Sequence, residues 1–437
     1  MLSLVGLVIA LLLLMWVTLR GANPLVAAPA CAIIVAVTGG LDFFPTLNGS
    51  TEQANYVESY MQGFTSFIGA WFFMFLLGSI FGKLMEDSGA AASVAHLILA
   101  KFGSQHAPLA VVLACAILTY GGVSVFIVAF SVYPVAVGLF HEANLPRRFI
   151  PGCLAFGSAT FTMTSAGSPE IQNWIPIEFL GTSPYAAWQE SLVVAVIMAG
   201  LGYVLLNRMV GKAVAAGEHF IARDDDPQAD TSNLPNPLVS MLPLLAVLGF
   251  SFGFHQTLGK YALVIALGAG CFLTWALNAK TLKAPGVALG IGAMGALVAI
   301  GNTAAVVGFG TVAKASPAFD LAVGWLTSLP GNELIGASIA VTVICALTGS
   351  ASGGQSIALP AVAPHYLEQG VDPDELHRMV AIASGGLDSL PHNGYVVTTI
   401  RAICGENYQN AYPPVAVLTV LVPMLGMAIA LTLFTIF

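Results

Sequence analysis

Apolar windows about as long as a membrane span recur along the whole chain and limit its fold more than any other feature. They lie near 2–19, 22–40, 63–83, 189–207, 237–255, 261–279, 285–313 and 412–436. A bilayer offers no water to the backbone, so such segments cross it as helices of about 20 residues. Two more windows, near 150–175 and 379–403, are interrupted by glycine, proline and polar residues. With 57% hydrophobic and 8% charged residues, the sequence predicts an all-α polytopic membrane protein with about ten transmembrane helices.

Lysine and arginine collect on the cytoplasmic side of membrane proteins and so predict orientation. Eleven of the fourteen basic residues are assigned to one side: Arg20, Lys83, Lys101, Arg147, Arg148, Arg208, Lys212, Arg223, Lys280, Lys283 and Arg401. Lys260, Lys314 and Arg378 are assigned to the other side. We therefore expect both termini outside and the polar segment 207–236 in the cytoplasm. The first segment lacks a basic n-region, so it is predicted to be a helix and not a signal peptide.

The same order of parts occurs on both sides of segment 207–236 and predicts two repeats, 1–206 and 237–437. Each has three apolar spans, a hairpin, an interrupted segment and a final span. The hairpins are predicted near 107–140 and 332–365, and the broken helices near 150–175 and 379–403. Basic residues follow the first hairpin and acidic residues the second, so the repeats are predicted to be inverted. Inverted repeats with interrupted segments are typical of secondary transporters.

The stretch "TGSASGGQS" at 348–356 lies between two apolar arms and cannot form a stable lipid-facing helix. We expect a re-entrant hairpin whose tip binds a ligand or ion near mid-membrane. The predicted substrate-binding residues of the two tips are Thr119, Gly121, Gly122, Ser124, Thr348, Ser350, Ser352, Gly353, Gly354 and Ser356. An alternative is that these small residues only allow close helix packing.

Each interrupted segment contains a proline, Pro169 or Pro391, which removes an amide donor and frees a carbonyl. Half-helix N-termini then favour an anion and freed carbonyls favour a cation, so the substrate is predicted to be anionic. The predicted binding residues in these segments are Thr164, Ser165, Ser168, His392 and Asn393. Asn302, in a third polar cluster at 301–317, is also a candidate. Its alternative role is a hydrogen bond between helices.

Ionisable residues inside spans are rare and usually functional. Asp388, His392 and Glu170 are therefore predicted to couple transport to protons, and histidine titrates near neutral pH. Structural alternatives stay open: Asp388 as a helix cap, His392 as a neutral support for the broken helix, and Glu170 at a helix end. The remaining histidines at segment edges are expected at the interface: His96, His141, His365 and His377.

The motifs "GNTAAVVGFGTV", "LTGSASGGQSIALP" and "LDSLPHNG" together resemble the gluconate permease (GntP) family of the ion transporter superfamily. The resemblance runs over nearly the whole chain. It implies proton symport of small hydroxy-carboxylates by a homodimer, in which a transport domain moves against a scaffold as an elevator. The matching residues are Ser350, Ser352, Gly353, Gly354, Asp388, His392 and Asn393. The first half departs from the pattern, because "TFTMTSAGSPEIQN" replaces a stretch rich in histidine and proline.

The sequence thus predicts a proton-coupled symporter of a small organic monocarboxylate or hydroxy acid, of the gluconate, glycerate or 3-hydroxybutyrate type. The alternative is a sodium-coupled carboxylate or dicarboxylate symporter, which should bring more cationic residues to the site. The chain has no HExxH sequence or Walker A motif, so an enzyme or an ATP-driven pump is not expected. We expect no metal, cofactor or nucleic-acid partner. The expected partners are the substrate anion, the lipid of a bacterial inner membrane and a second copy of the chain.

Overall fold

The computed structural model describes residues 2–20, 22–45, 54–224, 226, 233–319, 321, 324, 333–391 and 393–436. In this part of the chain the regular elements are helices. The first half contains α1 (Leu2–Leu19), α2 (Pro24–Gly39), α3 (Tyr56–Asp87), α4 (Ala90–Phe102), α5 (Ala107–Tyr120), α6 (Val125–Glu142), α7 (Ile150–Ala159), α8 (Ile175–Leu180) and α9 (Trp188–Ala215). The second half contains α10 (Pro237–Leu258), α11 (Tyr261–Leu277), α12 (Pro285–Lys314), α13 (Glu333–Thr348), α14 (Ala351–Glu368), α15 (Pro373–Ser384), α16 (Gly394–Val397), α17 (Tyr408–Ala416) and α18 (Val422–Ile436).

Six helical segments of the described chain are long and apolar enough to cross a membrane: α3, α6, α9, α10, α12 and Tyr408–Ile436. The helices α1, α2, α11 and α13 are apolar but shorter. The expected break in each interrupted window is present, between α7 and α8 and between α15 and α16. Both breaks coincide with the glycine and proline residues that weaken a helix. The helical membrane fold is therefore confirmed, while the inverted relation of the halves stays a prediction.

The first group of helices comprises α1, α2, α3, α10, α11 and α12, and its closest pair is α3 with α12. Glycine allows this pair to approach: a Cβ atom on Gly63 would lie 2.1 Å from the hydroxyl of Thr311. At Gly308 it would lie 2.9 Å from the carbonyl oxygen of Tyr60. The Tyr60 hydroxyl also donates to the carbonyl oxygen of Ala305 at 3.0 Å. Small residues at such contacts are the usual way to pack helices in lipid.

The second group contains the two hairpins, α5–α6 and α13–α14, together with the broken helices and the final span. Glycine again sets the spacing, since a Cβ atom on Gly157 would lie 2.4 Å from the carbonyl oxygen of Val112. The halves meet within this group: the hydroxyls of Ser158 on α7 and Tyr395 on α16 are 2.7 Å apart. The two hairpins and the two breaks therefore belong to one packed unit.

The predicted linker 207–236 is partly built into the fold. Helix α9 continues past the expected boundary at 206 to Ala215. Beyond it, Asp226 pairs with Arg147 at 2.7 Å, and Glu406 pairs with both Arg147 and Arg223 at 2.8 Å. These pairs attach the linker to the loop after the first hairpin and to the loop after α16.

Candidate functional site

The tip of the second hairpin is a tight turn between α13 and α14. Gly349 takes a left-handed backbone conformation with φ of 61°, which glycine adopts at little cost. The Ser350 hydroxyl then accepts a hydrogen bond from the Gly353 amide at 3.1 Å and caps α14. A Cβ atom on Gly354 would lie 2.3 Å from the sulfur of Cys345, so this glycine allows the two arms to touch. The predicted hairpin is present, and Gly354 has a packing role within it; its re-entrant position in the membrane stays a prediction.

Helix α14 begins at the tip with unused amide donors. The Gly354 amide donates to the Ser350 carbonyl oxygen at 2.9 Å, whereas the amides of Ala351 and Ser352 have no acceptor within the described chain. The 18-residue helix adds partial positive charge at the same end. The Thr348 and Ser356 hydroxyls donate to carbonyl oxygens of their own helices, each at 2.9 Å. The backbone of the tip, and not these two hydroxyls, is therefore free to bind an anion.

The break between α15 and α16 lies directly against this tip. The Asn393 amide nitrogen donates to the carbonyl oxygens of Gly349 and Asp388, at 3.1 and 3.0 Å. Its side-chain oxygen accepts from the Val396 amide at 2.8 Å and caps α16. Asn393 thus joins the hairpin tip to the broken helix. The predicted site residue His392 lies outside the described residues.

Neutral groups close the rest of the second break. The Tyr408 hydroxyl donates to the carbonyl oxygen of Pro391 at 2.6 Å, and the Tyr412 hydroxyl to that of Ser389 at 3.3 Å. The Asp388 carboxylate is only 6% exposed and accepts a hydrogen bond from the Ser389 hydroxyl at 3.0 Å. No basic side chain of the described residues forms an ion pair with it. The second break therefore contains a buried carboxylate that has no counter-charge among the described residues.

The break between α7 and α8 contains the predicted residues Thr164, Ser165, Ser168 and Glu170. Thr164, Ser165 and Ser168 are buried, and the Ser165 hydroxyl is hydrogen-bonded to that of Tyr120. The Ser168 hydroxyl accepts from the Glu170 amide at 3.4 Å. The Glu170 carboxylate forms no ion pair within the described chain.

A buried arginine closes the first break. Arg378, which the charge pattern assigned to the outside, is fully buried on α15. Its guanidinium donates to the carbonyl oxygen of Thr164 at 2.7 Å and to the side-chain oxygen of Asn173 at 2.6 Å. It also donates to the carbonyl oxygens of Pro184 and Ala186, each at 3.1 Å. The neighbouring His377 is buried too, and not interfacial as expected.

The two breaks are in contact with each other and with the second hairpin. A Cβ atom on Gly385 would lie 3.1 Å from the methyl carbon of Thr164. The buried Gln355 of α14 donates to the carbonyl oxygen of Gln172 and to the Ser384 hydroxyl, both at 3.1 Å. The sequence reasoning missed Gln355 and Arg378. The available signals were a glutamine inside "SGGQS" and a basic residue directly before the apolar run "MVAIAS".

Three amide oxygens near this junction are buried without a donor in the described chain: Gln172 Oε1, Gln355 Oε1 and Asn302 Oδ1. Asn302 lies on the face of α12 that contacts α14. Along that face Gly310 opposes Ile357 and Val306 opposes Gly353, so Asn302, one turn further, is level with the tip. Buried acceptors are normally satisfied, so these oxygens are available to a ligand donor or water.

The tip of the first hairpin lies against α10 instead. A Cβ atom on Gly121 would lie 2.5 Å from the Leu244 side chain, and one on Gly122 would lie 2.9 Å from that of Val247. Gly122 also has a φ of 88°. The Ser124 side chain does not cap α6, and the buried Thr119 hydroxyl has no partner among the described residues. Packing therefore accounts for both glycines here.

Two cavities lie outside this junction. One of about 550 Å³ borders the first break and is lined by Tyr120, Ser165, Ala166, Tyr185, Trp188, Leu192, Phe252, His255 and Gln256. A larger cavity of about 750 Å³ lies along α4, α6 and the linker. It contains none of the predicted site residues, so its size alone does not identify it as the transport site.

Comparison with known proteins gives a consistent result. The family model described as GntP family permease matches residues 1–249. The chain is 34% identical to the uncharacterized transporter YxjC of Bacillus subtilis, with 96% of each chain covered. It is 28% identical to the high-affinity gluconate transporter of Escherichia coli, over 51% of this chain and 47% of that one.

A solved structure has a similar fold. The crystal structure of the YdaH transporter from Alcanivorax borkumensis, described as having an unusual topology, aligns with a TM-score of 0.56 and 16% identity. The alignment covers 100% of this chain and 99% of that one. The family model spans more than half of the chain and the Bacillus relative nearly all of it, so this protein belongs to the GntP family of membrane permeases.

Proposed function

We propose that this permease is a secondary active symporter for a small organic monocarboxylate or hydroxy acid. The observation that carries the proposal is the start of α14, where the amides of Ala351 and Ser352 have no acceptor within the described chain. A carboxylate is the ligand that such a half-helix N-terminus favours in transporters. The junction of the second hairpin with both breaks is the proposed substrate site.

The unpartnered amide oxygens support a hydroxylated substrate. Gln172, Gln355 and Asn302 each present a buried oxygen that can only accept a hydrogen bond. A hydroxy acid supplies hydroxyl donors in addition to its carboxylate. The gluconate transporter of Escherichia coli, a relative over about half of this chain, agrees with this substrate class.

Protons are the proposed coupling ion. Asp388 is a buried carboxylate next to the substrate site, without a basic partner among the described residues. A protonated Asp388 would not repel the carboxylate of the substrate, so protonation and substrate binding would support each other. His392 and Glu170 are the other proposed proton carriers.

An elevator movement is the proposed mechanism. The hairpins and breaks pack as one group, while α3 and α12 pack tightly in the other. A first group that stays fixed, joined to its copy in a homodimer, would allow the second group to carry the substrate across. Both termini are proposed to lie outside the bacterial inner membrane. Distances between spin labels on the two groups should change when substrate and a proton gradient are supplied.

The alternative is a sodium-coupled dicarboxylate carrier. Such a carrier needs a free cationic group for the second carboxylate, and among the described residues Arg378 is a cation that lies near the junction. Its guanidinium already donates four hydrogen bonds to protein oxygens. The geometry therefore favours a single carboxylate.

Uptake into proteoliposomes tests the proposal. Radiolabelled gluconate, glycerate, lactate, 3-hydroxybutyrate and succinate are supplied with an imposed proton gradient or sodium gradient, each applied separately. We expect one monocarboxylate to accumulate with the proton gradient alone. Accumulation only with sodium, or of succinate alone, would contradict the proposal and favour the alternative.

A further inference from the structure

Arg378 is a buried cation surrounded by neutral oxygens. Its four acceptors are the carbonyl oxygens of Thr164, Pro184 and Ala186 and the side-chain oxygen of Asn173, at 2.6–3.1 Å. No carboxylate of the described residues forms an ion pair with it. A buried charge needs compensation, and here carbonyl dipoles provide it.

Oxygens of this chemical type also bind small hard cations. In transporters, carbonyls released where a helix unwinds coordinate sodium ions, and hard cations take oxygen ligands in general. Thr164 and Asn173 both lie within the break between α7 and α8, towards its two ends, while Pro184 and Ala186 lead into α9. The four oxygens therefore come from the break and from the segment after α8, so one group that binds them all holds the unwound segment in place.

We propose that Arg378 is a tethered cation that occupies the carbonyl site of the first break. The guanidinium holds the unwound segment in shape, as a bound ion would, and leaves no room for a coupling cation there. Coordination of a coupling metal ion is then restricted to the second break, where the carbonyls are held by neutral donors. Only the statement about the coupling ion rests on the proposed function, because occupancy of the oxygen site by Arg378 does not depend on the substrate.

The other titratable groups near Arg378 do not occupy the site formed by the four oxygens. The titratable groups that act on it electrostatically are the Tyr120 hydroxyl and the Asp374 carboxylate. Tyr120 is engaged with Ser165 and the carbonyl oxygen of Ala166. Asp374 is exposed at the start of α15. The adjacent His377 is hydrogen-bonded to the Thr182 hydroxyl at 2.6 Å.

Thermal unfolding of the purified protein in detergent tests the proposal without any substrate. The parent protein should have the same Tm in sodium chloride and in choline chloride of equal concentration. Arg378→Ala should lower Tm by several degrees, and millimolar guanidinium or sodium should restore part of the loss. Arg208→Ala, at an exposed residue of α9, is the control and should respond to neither cation.

Two further variants keep the test decisive if Arg378→Ala does not fold. Arg378→Lys retains a tethered cation, whereas Arg378→Gln retains polarity without charge. We expect the Tm of the lysine variant to lie closer to that of the parent. The proposal is overturned if no cation restores Arg378→Ala, or if Arg378→Gln is at least as stable as Arg378→Lys. Neither result bears on carboxylate uptake, and failed uptake would not alter these Tm values.

Discussion

The two breaks at the centre of the molecule are closed by different chemistry. At the first break, carbonyl oxygens receive hydrogen bonds from the Arg378 guanidinium, and no described carboxylate pairs with that charge. At the second, they receive hydrogen bonds from Asn393, Tyr408 and Tyr412, and the Asp388 carboxylate is buried nearby. A fixed positive charge, Arg378, thus contacts the first break, and a buried acid, Asp388, lies within the second. Under the proposed function, the second break carries the coupling proton, and the first break is held in shape by a fixed charge.

The largest effect is expected from neutralising the acid of the second break. Asp388→Asn should abolish substrate accumulation driven by a proton gradient, because the side chain can no longer carry a proton. Glu170→Gln, in the first break, should retain at least half of the activity. Uptake into proteoliposomes measures the activity of both variants. Exchange of labelled for unlabelled substrate at the rate of the parent protein shows that the binding site is intact. Full accumulation by Asp388→Asn would remove the functional contrast between the breaks.

A pair of adjacent glycines separates packing from binding at the second hairpin. Gly354→Ala should lower the free energy of unfolding by about 3 kcal/mol, at the upper end for overpacking, because its Cβ atom would meet the backbone of Cys345. Gly353→Ala meets the Ser350 side chain at 3.2 Å and Val306 at an ordinary contact distance of 3.6 Å, and should leave stability nearly unchanged. It should raise the KM for uptake, because Ser350 must move. Equal stability of the two variants would argue against the tight contact of the arms.

The bridge made by Asn393 can be removed alone. Asn393→Ala should cost about 3 kcal/mol, because three hydrogen bonds of about 1 kcal/mol net each are lost. It should also raise KM, since the hairpin tip is no longer attached to the broken helix. Asn410→Ala, at an exposed position, is the matched control. A normal KM for Asn393→Ala would show that the tip is held in place without this bridge.

The smallest effect is expected far from both breaks. The Arg148 side chain donates hydrogen bonds to the Glu218 carboxylate and lowers the pKa of that group below its ordinary value. A lowered pKa in the folded state stabilises the protein above the unfolded-state pKa of about 4.3, and the gain disappears as pH falls through the folded value. Because the pair is exposed, Glu218→Gln should cost less than about 1 kcal/mol at neutral pH. Unfolding curves at pH 7 and pH 3.5 measure the difference, and uptake should not change.

The sequence predicted the hairpins and breaks because glycine, proline and small polar residues act on the backbone locally. The second tip and the break beside it lie where "TGSASGGQS" and "LDSLPHNG" predicted them. The contact partners could not be predicted this way. Arg378 was assigned to the outside because the charge rule counts position along the chain, whereas its burial depends on carbonyl oxygens about 200 residues earlier in the sequence. Nor does composition show that the Thr348 and Ser356 hydroxyls bond to their own helices.

Asn393 has one more consequence, for the chemical lifetime of the protein. It is followed by Gly394, and an asparagine before glycine is the pair most prone to deamidation, because the glycine amide can attack the side-chain carbonyl. The three hydrogen bonds of the Asn393 side chain restrain that attack while the protein is folded. An aspartate formed there would place a carboxylate opposite two carbonyl oxygens and repel the hairpin tip. Deamidation of this single side chain would therefore inactivate a permease molecule whose fold is otherwise intact.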